Sequence, residues 1–334
     1  MPAAHRLFKT VFAALMASFV LSAFAAQAFG QEKYASIVID AETNEVLHAR
    51  FADERRYPAS LTKVMTLYML FDALKAGDIR LSDKLTISKN ADRQPASDLG
   101  IRAGRTISVE DAINALVTKS ANDIAVAVAE RLGGTEDRFA ALMTVKARSL
   151  GLAKTSFYNA SGLPDPRQIT TARDMAKLAE AVLDTHADYY SYFSKTRFNW
   201  NRKTFRNHNK LLNTVDGVDG IKTGYTRASG FNLMASAKRD NRRVIAIMLG
   251  GNSAKARNRH VTELINAAYT AIDAKNTGTL QAAPSDKENT PLVAFTAPAP
   301  TTTELVKLPN GSIVAKSFSK PLAPIAEGDA STAE

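Results

Sequence analysis

Residues 58–71, PASLTKVMTLYMLF, are apolar at nearly every position from Leu61 to Phe71, with one charge, Lys63, among them. A helix that is apolar nearly all round has no solvent face. It is stable only with other elements packed about it, so the segment is a buried central helix. Lys63 is then the anomaly. Pro58 and the small residues before Ser60 mark the helix start. Ser60 and Lys63 lie three apart, one turn along the same face. An ammonium withdrawn from water has its pKa lowered, and a neutral lysine beside a hydroxyl is a general base for a nucleophile. The bland alternative is a lysine that snorkels to the surface while Ser60 caps the helix. Ser-x-x-Lys by itself does not separate the two.

The ends of the chain differ from its middle. His5, Arg6 and Lys9 precede an apolar run from Val11 to Ala26, followed by the small-x-small sequence Ala26-Gln27-Ala28. That is the pattern of a secretory signal peptide over 1–28, too short for a comfortable membrane span. An exported, periplasmic or cell-envelope protein is expected. The formal charge of +10 suits an acidic polymer or an anionic membrane surface. The chain has no cysteine, so disulfides, thiol nucleophiles and thiolate metal sites are excluded. Beyond Ala274 the composition shifts: seven of the 12 prolines fall there, with many Ala and Thr. Residues 275–334 read as a solvated, disordered tail. The span 29–274 is long enough for one large domain or two interleaved subdomains.

Within that span YASIVIDAETNEVLHARF reads as a hairpin, Ala35–Ile39 against Val46–Phe51. Helical periodicity follows over 60–76, 108–118, 121–132, about 135–150 and 171–184, with a last helix from about 256 to 272. GIKTG, FNLMASA and RVIAIMLG read as strands. Strands at both ends of a helical middle predict one α/β unit, the first and last strands sharing an antiparallel sheet.

Two more stretches bear on Ser60 and Lys63. TKSANDIAV places Ser120 and Asn122 between two helical patterns, where Ser120 alone would read as an N-cap. DGIKTGYT places Lys222-Thr223-Gly224 at a strand end, where an ordinary strand exit is the plain reading. Ser-x-x-Lys, Ser-x-Asn and Lys-Thr-Gly in this order are the motif set of penicillin-binding proteins and class A β-lactamases. With YPASLTKVMT, GLPDPRQITTARDMA, VDGIKTGYT and GFNLMASA beside them, the chain resembles the low-molecular-mass penicillin-binding proteins, serine-type D-alanyl-D-alanine carboxypeptidases. The likeness runs from about Tyr34 to Tyr269.

The resemblance implies a β-lactamase/transpeptidase-like fold with a helical subdomain, no metal and no cofactor. It implies peptidoglycan stem peptides ending in D-Ala-D-Ala as substrates, and covalent capture of β-lactam antibiotics. It makes Ser60 the nucleophile, Lys63 its base, and Ser120 with Asn122 a proton relay and backbone clamp. Lys222 and Thr223 face the substrate carboxylate. The Ser60 and Tyr225 N–H groups, beside Gly224, form the oxyanion hole. Arg257 matches a family arginine that attracts the carboxylate, although a surface arginine would look the same in sequence. His208 stands where relatives often carry arginine, which leaves its role unassigned. The tail looks too short and irregular for the β-rich second domain and amphipathic anchor of many relatives.

Three rivals are weighed. A class A β-lactamase needs a glutamate to activate the deacylating water. The glutamates between Ser120 and Lys222 are Glu130, Glu136 and Glu180. The first two are read as lying around a helix end and Glu180 as solvent-facing, so none is expected to reach an ester on Ser60. A catalytically idle penicillin-binding envelope protein would not need all three motifs complete. A nucleic-acid-binding module is opposed by the export signal and by the lack of interleaved aromatic and basic residues.

Overall fold

The computed structural model describes residues 33–276, together with strands at Thr303–Lys307 and Ile313–Ser317. The proposed signal peptide and most of the tail lie outside these residues. The chain opens with β1 (Ala35–Asp40) and β2 (Val46–Arg50), and a 3-10 turn, Ala59–Leu61, leads into α1 (Thr62–Ala76). Strands β3 (Lys84–Thr86) and β4 (Thr106–Ser108) form a small ribbon before α2 (Val109–Thr118), α3 (Asn122–Gly133), α4 (Glu136–Ser149) and α5 (Ala172–Thr185). The hairpin β5 (Arg197–Trp200) and β6 (Lys203–Arg206) precedes β7 (Val218–Thr226), β8 (Gly230–Arg239), β9 (Arg242–Gly251) and α6 (Ala254–Asn276).

One five-stranded sheet, ordered β2-β1-β9-β8-β7, organises this domain. Every pairing is antiparallel, and the first strand closes on the last, Ala35 opposite Leu249 and Asp40 opposite Val244. Side chains alternate across a strand, and here both faces are covered. Ile37, Ile245, Ile247 and Leu249 enter the larger core, which holds the helical middle of the chain. Val38, Val244, Ala246 and Met248 enter a second core beneath α6, with Val261, Ile265 and Ala268. Burial on both faces is why RVIAIMLG is a continuous apolar run and not an alternating one.

α1 runs through the larger core. Val64, Met65, Leu67, Leu70 and Phe71 are all fully buried, each such aliphatic or aromatic side chain contributing about 1.5–3 kcal/mol. Gly77, left-handed with φ +79°, ends the helix. Ser108, Thr135 and Thr171 cap α2, α4 and α5, each side-chain oxygen accepting an N–H three residues on. Among the described residues no helix is long and apolar enough to cross a membrane.

Within the tail read as irregular, the strands Thr303–Lys307 (β10) and Ile313–Ser317 (β11) pair as an antiparallel hairpin. It belongs to a second compact unit, Thr296–Glu334.

Candidate active site

The turn at Ala59 aims the first motif. Ala59 has φ +48°, a left-handed conformation that costs a residue with a Cβ about 1–2 kcal/mol. Two glycines hold this turn from either side. A Cβ on Gly162 would stand 1.9 Å from the Ala59 carbonyl oxygen, and one on Gly224 would stand 3.0 Å from the Ser60 nitrogen. Gly162 must be glycine for this approach, and at Gly224 a Cβ would press on the turn. Asn232 ties the same segment to β8, its amide donating to the carbonyls of Tyr57 (2.9 Å) and Pro58 (3.1 Å). The turn therefore places Ser60 at the head of α1 against the Gly224–Tyr225 end of β7.

Lys63 is 0% exposed. Its Nζ lies 3.3 Å from Ser60 Oγ, 2.7 Å from Asn122 Oδ1 and 2.5 Å from the Ser161 carbonyl oxygen. Asn122 is oriented by its own amide, which donates to the Pro95 carbonyl at 2.8 Å. Burial holds the Lys63 amine well below the usual lysine range, with the Lys222 charge adding to the shift and Asp123 and Glu136 opposing it. A neutral amine has two N–H donors and one lone pair. With the Asn122 and Ser161 oxygens accepting from Nζ, the neutral form, which burial favours, would have its lone pair left for the Ser60 hydroxyl. The snorkelling alternative is thereby excluded.

Ser120 sits in the turn before α3 with φ +61°. Its hydroxyl is buried and has no hydrogen-bond partner among the described residues. The N-cap of α3 is Ala121, with no side-chain cap bond, so capping does not account for Ser120. A strained backbone presenting an unsatisfied hydroxyl is an arrangement found at functional sites.

The third motif lies on β7. Lys222 is 2% exposed and Arg257, from α6, 4% exposed; Arg257 is thus no surface arginine. Lys222 donates to the Thr223 carbonyl at 2.9 Å, and Arg257 to the Asn232 carbonyl at 3.2 Å and to Asn258 Oδ1. Among the described residues neither forms an ion pair with a carboxylate. Burial, then the charge of Arg257, pushes Lys222 down to about 7, and burial pushes Arg257 down to about 10. Two buried cations without a counter-ion form a site for an anion. Thr223, nearly buried, adds a hydroxyl. His208 lies at the rim. Desolvation of its ring, with Lys222, Lys119, Lys210 and Arg257 adding, pushes its imidazole down to about 4, so it is neutral at pH 7.

Residues 23–253 match the sequence profile of the D-alanyl-D-alanine carboxypeptidases, peptidase family S11. The chain belongs to this family. It is 34% identical over 284 residues to the D-alanyl-D-alanine carboxypeptidase DacF of Bacillus subtilis, covering 80% of this chain and 72% of that protein. Its fold superposes on penicillin-binding protein 5 of Haemophilus influenzae with a TM-score of 0.69 at 34% identity, covering 71% of this chain and 70% of the other. Penicillin-binding protein D2 of Listeria monocytogenes, solved in an ampicillin-bound form, gives 0.65 at 31% identity, covering 70% and 96%. The chain is thus a serine-type carboxypeptidase of the transpeptidase-like fold.

Several groups that shape this carboxypeptidase's site carry no sequence signal of their own. Ser161 acts through its backbone carbonyl. Asp123 accepts the N–H groups of Leu99 and Gly100 and anchors the loop ahead of the second motif. Glu136 is held by the Ala160 N–H at 3.1 Å, close behind Ser161.

Glu180 requires a correction. It is half-buried, not fully exposed as the sequence reading has it. It lines a depression with Glu42, Asp184, Tyr190 and Arg243, where burial and then the Asp184 charge push its carboxyl up to about 7. None of the three motifs lines that depression.

Proposed function

We propose that this chain removes the terminal D-alanine from peptidoglycan stem pentapeptides through an acyl-enzyme on Ser60. The observation that carries the reading is the fully buried Lys63 amine, whose Nζ contacts Asn122 Oδ1, the Ser161 carbonyl and Ser60 Oγ and whose pKa burial lowers. In the reaction Ser60 Oγ attacks the carbonyl between the two D-alanines as its proton passes to Lys63 Nζ. The N–H groups of Ser60 and Tyr225 stabilise the oxyanion. The C–N bond then breaks, and Ser120 relays a proton to the departing amine. Water hydrolyses the ester with Lys63 again as base. Asn122 clamps the peptide, and Lys222, Thr223 and Arg257 hold its terminal carboxylate, with His208 a neutral rim group. The N-terminal pattern supports action in the periplasm or cell envelope, and the same serine would be acylated by β-lactams.

The test is to incubate the purified protein with muropeptides ending in D-Ala-D-Ala and follow D-alanine. Repeated turnover is expected. The penicilloyl-enzyme should persist for minutes or longer by intact mass, a deacylation barrier on the order of 22 kcal/mol. Penicillin turnover at tens per second, lost in Glu180→Gln, would make the chain a β-lactamase.

The anion site predicts a pH signature. Only protonated Lys222 attracts a carboxylate, and its proton leaves as pH rises through about 7. The ratio of kcat/KM for a free-acid peptide over its C-terminal amide should therefore fall, approaching tenfold per unit above that pH. On the acid side both substrates should slow together, because Lys63 must be neutral. An acid-to-amide ratio that stays flat across neutral pH would remove Lys222 from the carboxylate site.

A further inference from the structure

The β5–β6 hairpin carries charge that the fold does not explain. From Lys195 to Lys210 the chain has six cations, Lys195, Arg197, Arg202, Lys203, Arg206 and Lys210, and no carboxylate. All six are exposed, and among the described residues none forms an ion pair. Arg197 lies directly opposite Arg206 in the antiparallel pairing. Such positions bring Cβ atoms to about 4.5–5.5 Å, and like charges there are destabilising. Arg202, at the turn, has φ +61°, a conformation that glycine adopts at lower cost. Both features weaken the hairpin, and both place arginine in solvent.

Aromatic and basic residues do interleave here, which the sequence reading passes over, but the rings are turned inward. Phe198 stacks with Trp200 and Phe205, centroids 6.2 and 6.3 Å apart, and all three pack on the larger core. No free ring is offered for a nucleic-acid base to stack on. Nor does the hairpin present an apolar side chain to lipid: among the described residues the exposed large hydrophobic side chains are Tyr57, Tyr158 and Tyr225. What it offers is a cationic face, suited to a hydrated polyanion.

The hairpin is fixed to the active site. Asn207 Nδ2 donates to the Lys195 carbonyl at 2.9 Å and closes its base. Asn209 Nδ2 donates at 3.0 Å to the Gly220 carbonyl on β7, two residues before Lys222. Lys119, the neighbour of Ser120, stands over the Phe205 ring at 5.6 Å. His208, between the two asparagines, is at the rim of the cleft. The cationic face thus adjoins the site through Lys119 and His208.

We propose that the β5–β6 hairpin is a docking surface for the peptidoglycan strand that carries the substrate, its arginines holding the terminal carboxylates of neighbouring stem peptides while one stem occupies the cleft. Every stem ending in D-Ala-D-Ala bears a free carboxylate, so a strand repeats the charge that the hairpin lacks, in the planar form a guanidinium binds best. The choice of polymer rests on the carboxypeptidase reading above.

The test uses the full chain and one variant with four substitutions, Arg197→Gln, Arg202→Gln, Lys203→Gln and Arg206→Gln. Cosedimentation with isolated sacculi measures docking without turnover. Wild-type affinity should fall about tenfold or more between about 0.05 M and about 0.5 M salt, because exposed charges are screened. At the lower salt the variant should bind about tenfold more weakly than the wild type. Sacculi with amidated carboxyl groups should hold the wild type no better than native sacculi hold the variant. D-alanine release from soluble diacetyl-L-Lys-D-Ala-D-Ala should stay within about twofold in the variant, as a site used only by the polymer requires. Its melting temperature should not fall, because the opposed arginines repel one another.

Equal binding of wild type and variant to sacculi, or wild-type binding that survives amidation, overturns the docking surface and leaves the carboxypeptidase reading in place. Loss in the variant of binding to phosphatidylcholine vesicles containing phosphatidylglycerol, with sacculus binding unchanged, also overturns it and assigns the hairpin to the membrane. Release of D-alanine by neither protein, with salt-sensitive sacculus binding intact, overturns the carboxypeptidase reading alone.

Discussion

Ser60→Ala should lower D-alanine release from a D-Ala-D-Ala peptide by on the order of 10⁴-fold or more and abolish covalent labelling by a fluorescent penicillin. Removing the nucleophile of a serine hydrolase leaves only binding and oxyanion stabilisation, and the loss corresponds to at least about 5.5 kcal/mol of barrier. The fold should survive. Ser60 is only partly buried, and its hydroxyl lies at the long end, 3.3 Å, of the Lys63 contacts. The expected change in stability is thus about 1 kcal/mol or less. The measurement is intact mass after penicillin treatment, with thermal melting alongside. An adduct of penicillin mass on folded Ser60→Ala would end the assignment.

Lys63→Arg is expected to be nearly as inactive as Lys63→Ala, each losing on the order of 10³-fold in the rate of penicillin acylation. Charge and base make opposite forecasts here. If Lys63 served as a fixed cation, arginine would preserve it. A guanidinium cannot give up its proton in the usable pH range, so it has no lone pair to offer Ser60. Size works in the same direction. Lys63 is fully enclosed, and Nζ already meets Asn122 and Ser161 at 2.7 and 2.5 Å, so a larger head group must displace one of them. Stopped-flow acylation measures the effect. Retention of most of the wild-type rate in Lys63→Arg would show an electrostatic prop in place of a base.

What sequence could reveal here follows from the range of the physics involved. The burial of α1, the cores on both faces of β9 and the caps at Ser108, Thr135 and Thr171 depend on neighbours within a turn or a strand. Each leaves a periodic or positional trace. The pairing of β1 with β9 was also readable, because a helical middle between strand-like ends leaves few ways to close a sheet. The short β5–β6 hairpin was not. Its turn at Asn201 and Arg202 has both residues at positive φ, 46° and 61°, without the Asn-Gly or Gly-X signature such turns usually carry. Ser161 contributes a carbonyl that any residue possesses, so nothing in its side chain could announce it. Arg257 and Glu180 show the same limit for charge. A charged residue reads as solvated until the elements packed on it are known, and here one proved buried beside Lys222 and the other sits in a depression away from Ser60. The hairpin at 303–317 lies in a composition that resembles linker, where two five-residue strands give little periodic signal.

The pairing of Ala35 with Leu249 governs when this protein can act. Its central strands are its first and nearly its last to be synthesised, so the sheet cannot close until almost the whole domain has left the ribosome. Contacts of such long sequence separation form slowly, because chain-closure entropy is lost before they reward it. Ser60 and Asn122 meet through Lys63 on packed helices, but the sheet that carries Lys222 against them is completed only by that closure. A growing chain that carries all three motifs but lacks β9 is therefore expected to hold no reactive serine. Labelling by penicillin along a series of stalled chains should begin abruptly once β9 is available, making antibiotic capture a direct clock for completion of the fold.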